Sequence, residues 1–113
     1  IDMKVAITSE GKTPDAALDP RFGRCKYFLI FDSESGDFES LENSNAQSSG
    51  GAGVRAGQMM VSKGVSVVLT GSVGPNASNV LQSAGIKVYT GISGVVSEAL
   101  RRFRAGEIRE ISA

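Results

Sequence analysis

Cys25 is the only cysteine in the chain and stands among cations, in the run Arg21-Phe22-Gly23-Arg24-Cys25-Lys26. Positive charge beside a thiol favours its thiolate, the form that ligates metal or attacks an electrophile. Cys25 is therefore a candidate soft metal ligand. It also reads as a small hydrophobe buried at the start of a strand, as free cysteine often is. A second set of candidates lies in two glycine stretches, Gly50-Gly51-Ala52-Gly53 and Gly71-Ser72-Val73-Gly74-Pro75-Asn76. Each precedes a helical pattern, where unpaired N–H groups and the positive end of the helix dipole attract anions and glycine lets a ligand approach the backbone. Neither stretch is a nucleotide loop, since no Gly-Lys-Ser/Thr follows and the second lacks the Gly-x-Gly-x-x-Gly spacing. The same glycines also suit plain turns and helix ends.

Composition removes most other chemistries. The chain of 113 residues has no histidine, and with one cysteine it cannot build a Cys/His zinc site, a Ser-His-Asp triad, a Cys-His pair or an intrachain disulfide. Two-metal hydrolysis needs paired carboxylates on adjacent strands, and the strand-like runs 3–8 and 65–70 contain none. Twelve basic and twelve acidic side chains cancel, which argues against a broad footprint for nucleic acid or an anionic membrane. No apolar run approaches the roughly 20 residues that span a bilayer, and no charged and then apolar leader opens the chain. The expectation is a cytoplasmic protein, monomeric or weakly homo-oligomeric, with a single domain over residues 3–113. Ile1 and Asp2, ahead of the first strand pattern, read as a remnant with no role.

The elements that must position these residues follow from hydrophobic pattern. Residues 3–8 read as a buried strand, and the loop that follows, to about residue 24, is long enough to be functional. Residues 26–32 form a strand buried on both faces, then Gly36 suits a positive-φ turn before an exposed edge strand at 38–43. A helix at 54–63 stops at Gly64, and a buried strand occupies 65–70. Pro75 suits the first position of a second helix, which carries Ala77, Val80, Leu81 and Ala84 and stops at Gly85. A short strand at 87–90 precedes a third helix, with Ser93 as its N-cap, Val95, Val96, Ala99, Leu100 and Phe103 on one face, and Gly106 as its stop. Met59 and Met60 read as core filler, and Arg101, Arg102 and Arg104 as a solvated face that complements the helix dipole. The order β-β-β-α-β-α-β-α predicts a mixed sheet covered by helices with right-handed crossovers. Ligands in such sheets bind beyond the carboxyl ends of the parallel strands, where loops 9–24, 50–53 and 71–76 would meet.

The run Asp19-Pro20-Arg21-Phe22-Gly23-Arg24-Cys25-Lys26-Tyr27-Phe28, with Phe31-Asp32 and the two glycine stretches, resembles the dinitrogenase iron-molybdenum cofactor biosynthesis family. That family includes NifX, the C-terminal part of NifB and small stand-alone archaeal and bacterial homologues. The resemblance implies an α/β, three-layer α/β/α, ribonuclease H-like fold with a five-stranded mixed sheet of order 3-2-1-4-5 and strand 2 antiparallel. It also implies binding or carriage of an anionic iron-sulfur or iron-molybdenum cluster, or a precursor, rather than catalysis. A protein partner in cluster assembly, an ATPase or radical enzyme, goes with that role. The residues enlisted are Arg21, Phe22, Gly23, Arg24, Gly51, Gly53, Gly71, Gly74 and Asn76 for the cofactor and Cys25 for metal. One departure stands out: cofactor-handling members commonly carry histidine where this chain has Arg21, so imidazole coordination is closed to it. The alternatives are an interaction domain of cluster metabolism without a ligand of its own, and a binder of a small anion or phosphate.

Overall fold

A computed structural model describes residues 3–44 and 51–108; Ile1, Asp2, Gly50 and the chain after Ile108 lie outside the described residues. The elements are β1 (Lys4–Ser9), β2 (Tyr27–Asp32), β3 (Phe38–Glu42), α1 (Ala52–Ser62), β4 (Val67–Leu69), α2 (Pro75–Ser83), β5 (Lys87–Tyr89) and α3 (Val96–Arg104). They build one mixed sheet in the order β3-β2-β1-β4-β5. Strand β2 runs antiparallel to β1 and β3, while β1, β4 and β5 are parallel. This is the α/β architecture of order 3-2-1-4-5 with an antiparallel second strand.

Side-chain alternation explains the three layers. Ala6, Phe28, Ile30, Val68 and Val88 face one core with Ala56 and Met60 of α1 and Ala77 and Leu81 of α2. Val5, Ile7, Leu29, Phe31, Val67 and Leu69 face the other, which Val96, Ala99 and Leu100 of α3 close. The central strands are therefore apolar in both registers, and each large side chain wholly removed from water contributes about 1.5–3 kcal/mol. Strand β3 lies at the sheet edge with its residues exposed or half-buried, and Phe38 rests on Phe31 at 5.4 Å between ring centroids.

The start of α3 differs from expectation. Gly94 takes φ +100, Val95 is the extended N-cap with no side-chain cap, and the helix begins at Val96, so Ser93 does not cap it and Val95 is exposed. The loop after β1 supplies the cap instead. Val96 N–H donates to the Ala16 carbonyl at 3.0 Å and Ser97 N–H to the Pro14 carbonyl at 2.8 Å, while Leu18 N–H donates to Gly94 at 2.7 Å. Half of the long loop is thus consumed in holding α3, and only its second half is free to build a site. Two arginines of the last turn are engaged at the surface: Arg101 pairs with Glu98 at 2.6 Å, and Arg104 donates to the Ser33 carbonyl at 2.8 Å.

Candidate functional site

At the carboxyl ends of β1 and β4 the second half of the β1–β2 loop, the start of α1 and the β4–α2 loop enclose a cleft of about 350 Å³. Arg21, Phe22, Gly23, Arg24, Gly51, Gly53, Gly74 and Asn76 line it, together with Ser72 and Pro75. Gly71 does not. A Cβ on Gly71 would lie 2.6 Å from the Pro20 Cα, so this glycine permits two loops to touch rather than a ligand to enter. The contact is secured by Ser72 N–H donating to the Pro20 carbonyl at 2.7 Å and Phe22 N–H to the Ser72 carbonyl at 3.1 Å.

The remaining lining residues divide by what they do. Phe22 is only 2% exposed, and its ring meets Phe28 edge-on at 5.4 Å, so its side chain anchors the loop in the core. Gly23 sits against α1: a Cβ there would fall 2.8 Å from Gly53 Cα and 2.9 Å from Gly53 N. Gly51 is the N-cap of α1 at φ +72, a left-handed conformation that favours glycine. Neither α1 nor α2 has a side-chain cap, so the first-turn N–H groups of Ala52, Gly53, Val54, Asn76 and Ala77 lack intrahelical acceptors. Arg21 and Arg24 are exposed at the rim and add positive charge. The whole arrangement suits a negatively charged guest.

Cys25 corrects the sequence-based expectation. It is fully buried in the core that α1 and α2 cover, is absent from the cleft lining, and donates its Sγ–H to the Phe22 carbonyl at 3.3 Å. Its thiol is pushed up to about 12, above all by burial and then by the carboxylate of Asp19; the hydrogen bond from Asn43 opposes this only in part. Arg24 and Lys26 are exposed while Cys25 points inward, so their charges do not offset the desolvation. As a soft metal ligand Cys25 is withdrawn. Among the described residues no group of three or more Cys, Asp or Glu side chains could hold a metal ion.

Two residues outside the candidate site set fix the loop. Asn43, buried at the end of β3, donates Nδ2–H to the Gly23 carbonyl at 3.1 Å and the Cys25 carbonyl at 2.9 Å. Asp19, 2% exposed, accepts the Arg21 backbone N–H at 3.0 Å and stands 3.4 Å from Arg21 Nε. The Asp-Pro step is a turn former whose side chain bonds the backbone two residues on, which is a sequence signal for Asp19. Asn43 carries no such signal.

Residues 3–106 match the family described as dinitrogenase iron-molybdenum cofactor. The chain belongs to that family. Among solved structures, it is similar to the apo form of the orange protein from Desulfovibrio gigas, with TM-score 0.94 and 38% identity over 98% of this chain and 94% of that one. A Thermotoga protein of the DUF35 family gives TM-score 0.84 and 42% identity over 96% and 92% of the two chains. The uncharacterised protein MJ0580 of Methanocaldococcus jannaschii is 28% identical over 111 residues, 96% of this chain and 91% of that protein. The family resemblance read from the Asp19–Phe28 run, Phe31-Asp32 and the two glycine stretches is thus correct, and so is the sheet order it implied. Among the described residues no helix is long and apolar enough to cross a membrane.

Proposed function

We propose that the cleft binds an anionic metal-sulfur cluster or a precursor as cargo, holding it by charge and N–H hydrogen bonds rather than by a protein thiolate. The carrying observation is the convergence of two helix starts without side-chain caps and two arginines on one cleft, in a chain of the cofactor family whose one thiol is sealed in the core. Sulfide and oxo ligands of a cluster accept hydrogen bonds, and such bonds are one of the ways a protein stabilises a cluster. Charge-assisted bonds are each stronger than neutral ones, which suits Arg21 and Arg24 as the outer clasp. Non-covalent seating also suits delivery, since transfer to a partner in cluster assembly then requires no metal–protein bond to break. Carriage is the role proposed, because the family is one of cofactor handling and the described lining of the cleft offers charge and N–H groups.

Anaerobic titration with tetrathiomolybdate, followed by its visible absorption, tests this. The wild type should bind with an affinity that falls as salt rises, because rim charges are screened, and Arg21→Ala and Arg24→Ala should each weaken it. Phosphate should compete poorly; equal affinity for phosphate would favour a general small-anion binder. Absence of binding by the wild type would overturn the proposal.

A further inference from the structure

We infer that Asp19 is a positioning residue of the anion cleft: its buried carboxylate anchors Arg21 so that the two Nη nitrogens of the guanidinium are left for the guest. This rests on the anion-binding reading above. Asp19 is itself rigid. Its N–H donates to the Thr8 carbonyl at 3.0 Å, its carbonyl accepts the Thr8 hydroxyl at 2.6 Å, and its side chain is almost wholly enclosed. Oδ1 then takes both the backbone N–H of Arg21 at 3.0 Å and Nε at 3.4 Å. Arg21 is the opposite kind of residue, with a side chain 63% exposed and no bond from its Nη nitrogens to the described residues. Left alone, so long a side chain would lose rotamer freedom on gripping an anion. Pinning it at Nε removes part of that loss in advance.

The charge on Asp19 needs such an explanation. Asparagine would form the same turn, since its amide oxygen accepts the Arg21 N–H equally well. A carboxylate beside an anion site repels the guest, so the turn alone does not account for it. What only the carboxylate adds is an ion pair with the guanidinium, in which both partners of the Nε–H bond are charged.

The two roles predict opposite signs for Asp19→Asn, which keeps the turn and removes a negative charge. If Asp19 only shapes the turn, affinity for tetrathiomolybdate rises or stays level. If it positions Arg21, affinity falls about three- to tenfold, the range set by ordering one long side chain. In an Arg21→Ala background the same change should produce no fall. Arg21→Lys, at an exposed position that does not endanger the fold, keeps the charge but has no Nε–H for Asp19 to hold, and should show a loss of similar size. The circular dichroism induced in the bound chromophore should change in both single variants at saturation. Unchanged or tighter binding by Asp19→Asn, additive effects in the double variant, or full affinity in Arg21→Lys would overturn the inference. Failure of the wild type to bind would instead reject the anion-binding reading itself.

Discussion

Raising the pH should weaken the fold through Cys25. The thiol ionises near 9 when exposed and is pushed up to about 12 in the folded chain. Between those limits the unfolded chain sheds a proton that the folded chain keeps, so each pH unit favours unfolding by between about 1 and 2 kcal/mol. The sign follows from a folded-state value raised above the unfolded one: the stabilisation is complete below pH 9 and is lost as pH climbs toward 12. The whole span is worth about 4 kcal/mol, a large share of the roughly 5–15 kcal/mol that holds a domain together. Urea denaturation at pH 7.5, 9, 10 and 11, on the wild type and on Cys25→Ala, isolates this group, because lysine and tyrosine titrations cancel in the difference. The alanine variant leaves a small cavity, so it should start less stable by about 1 kcal/mol at neutral pH. That gap should shrink above pH 9 and reverse by pH 11. Parallel curves, or rapid alkylation of the native protein by iodoacetamide at pH 8, would refute the picture of a sealed and neutral thiol.

Four further substitutions probe the surroundings of the cleft and one surface pair on α3. Gly23→Ala puts a methyl 2.8 Å from the Gly53 Cα, a backbone atom that cannot rotate aside, and should destabilise by about 1–3 kcal/mol. Gly74→Ala meets open space at φ −74 and should leave the melting temperature within a few degrees of the wild type, so equal behaviour of the two variants would contradict the packing described. Asn43→Ala removes the side-chain donor shared by the Gly23 and Cys25 carbonyls, should cost about 1–3 kcal/mol, and should speed amide hydrogen exchange across residues 22–26. Glu98→Ala breaks only an exposed pair with Arg101 on α3, and thermal melts should show no measurable loss.

The sheet was legible because its strands are simple physical objects. Val5-Ala6-Ile7 and Phe28-Leu29-Ile30-Phe31 are apolar on both faces, and such runs have to be buried between two layers. Gly64 and Gly85 ended their helices as read, at φ +73 and +78, because the left-handed requirement is local. What escaped the sequence was set by distant partners. The cap of α3 comes from carbonyls of Pro14 and Ala16, some eighty residues upstream, so the nearby Ser93 misled. Gly71 and Gly74 look alike in a string, yet one is pressed against Pro20 and the other faces open space. Cys25 among cations suggested a reactive thiolate, but alternation along the chain turns its neighbours outward and the sulfur inward. Asn43 reaches across twenty residues to Gly23, a contact that no short motif announces.

On the function proposed above, this member of the cofactor family seats its cargo by charge and hydrogen bonds, with no cysteine ligand. Anaerobic reconstitution with iron, sulfide and molybdate, followed by metal analysis and absorption spectra after desalting, tests it in one comparison of the wild type, Cys25→Ala and the Arg21→Ala/Arg24→Ala double variant. The wild type and Cys25→Ala should yield the same stoichiometric chromophore, and the double variant should lose it. A cluster that disappears with Cys25 and survives without the two arginines would contradict that proposal.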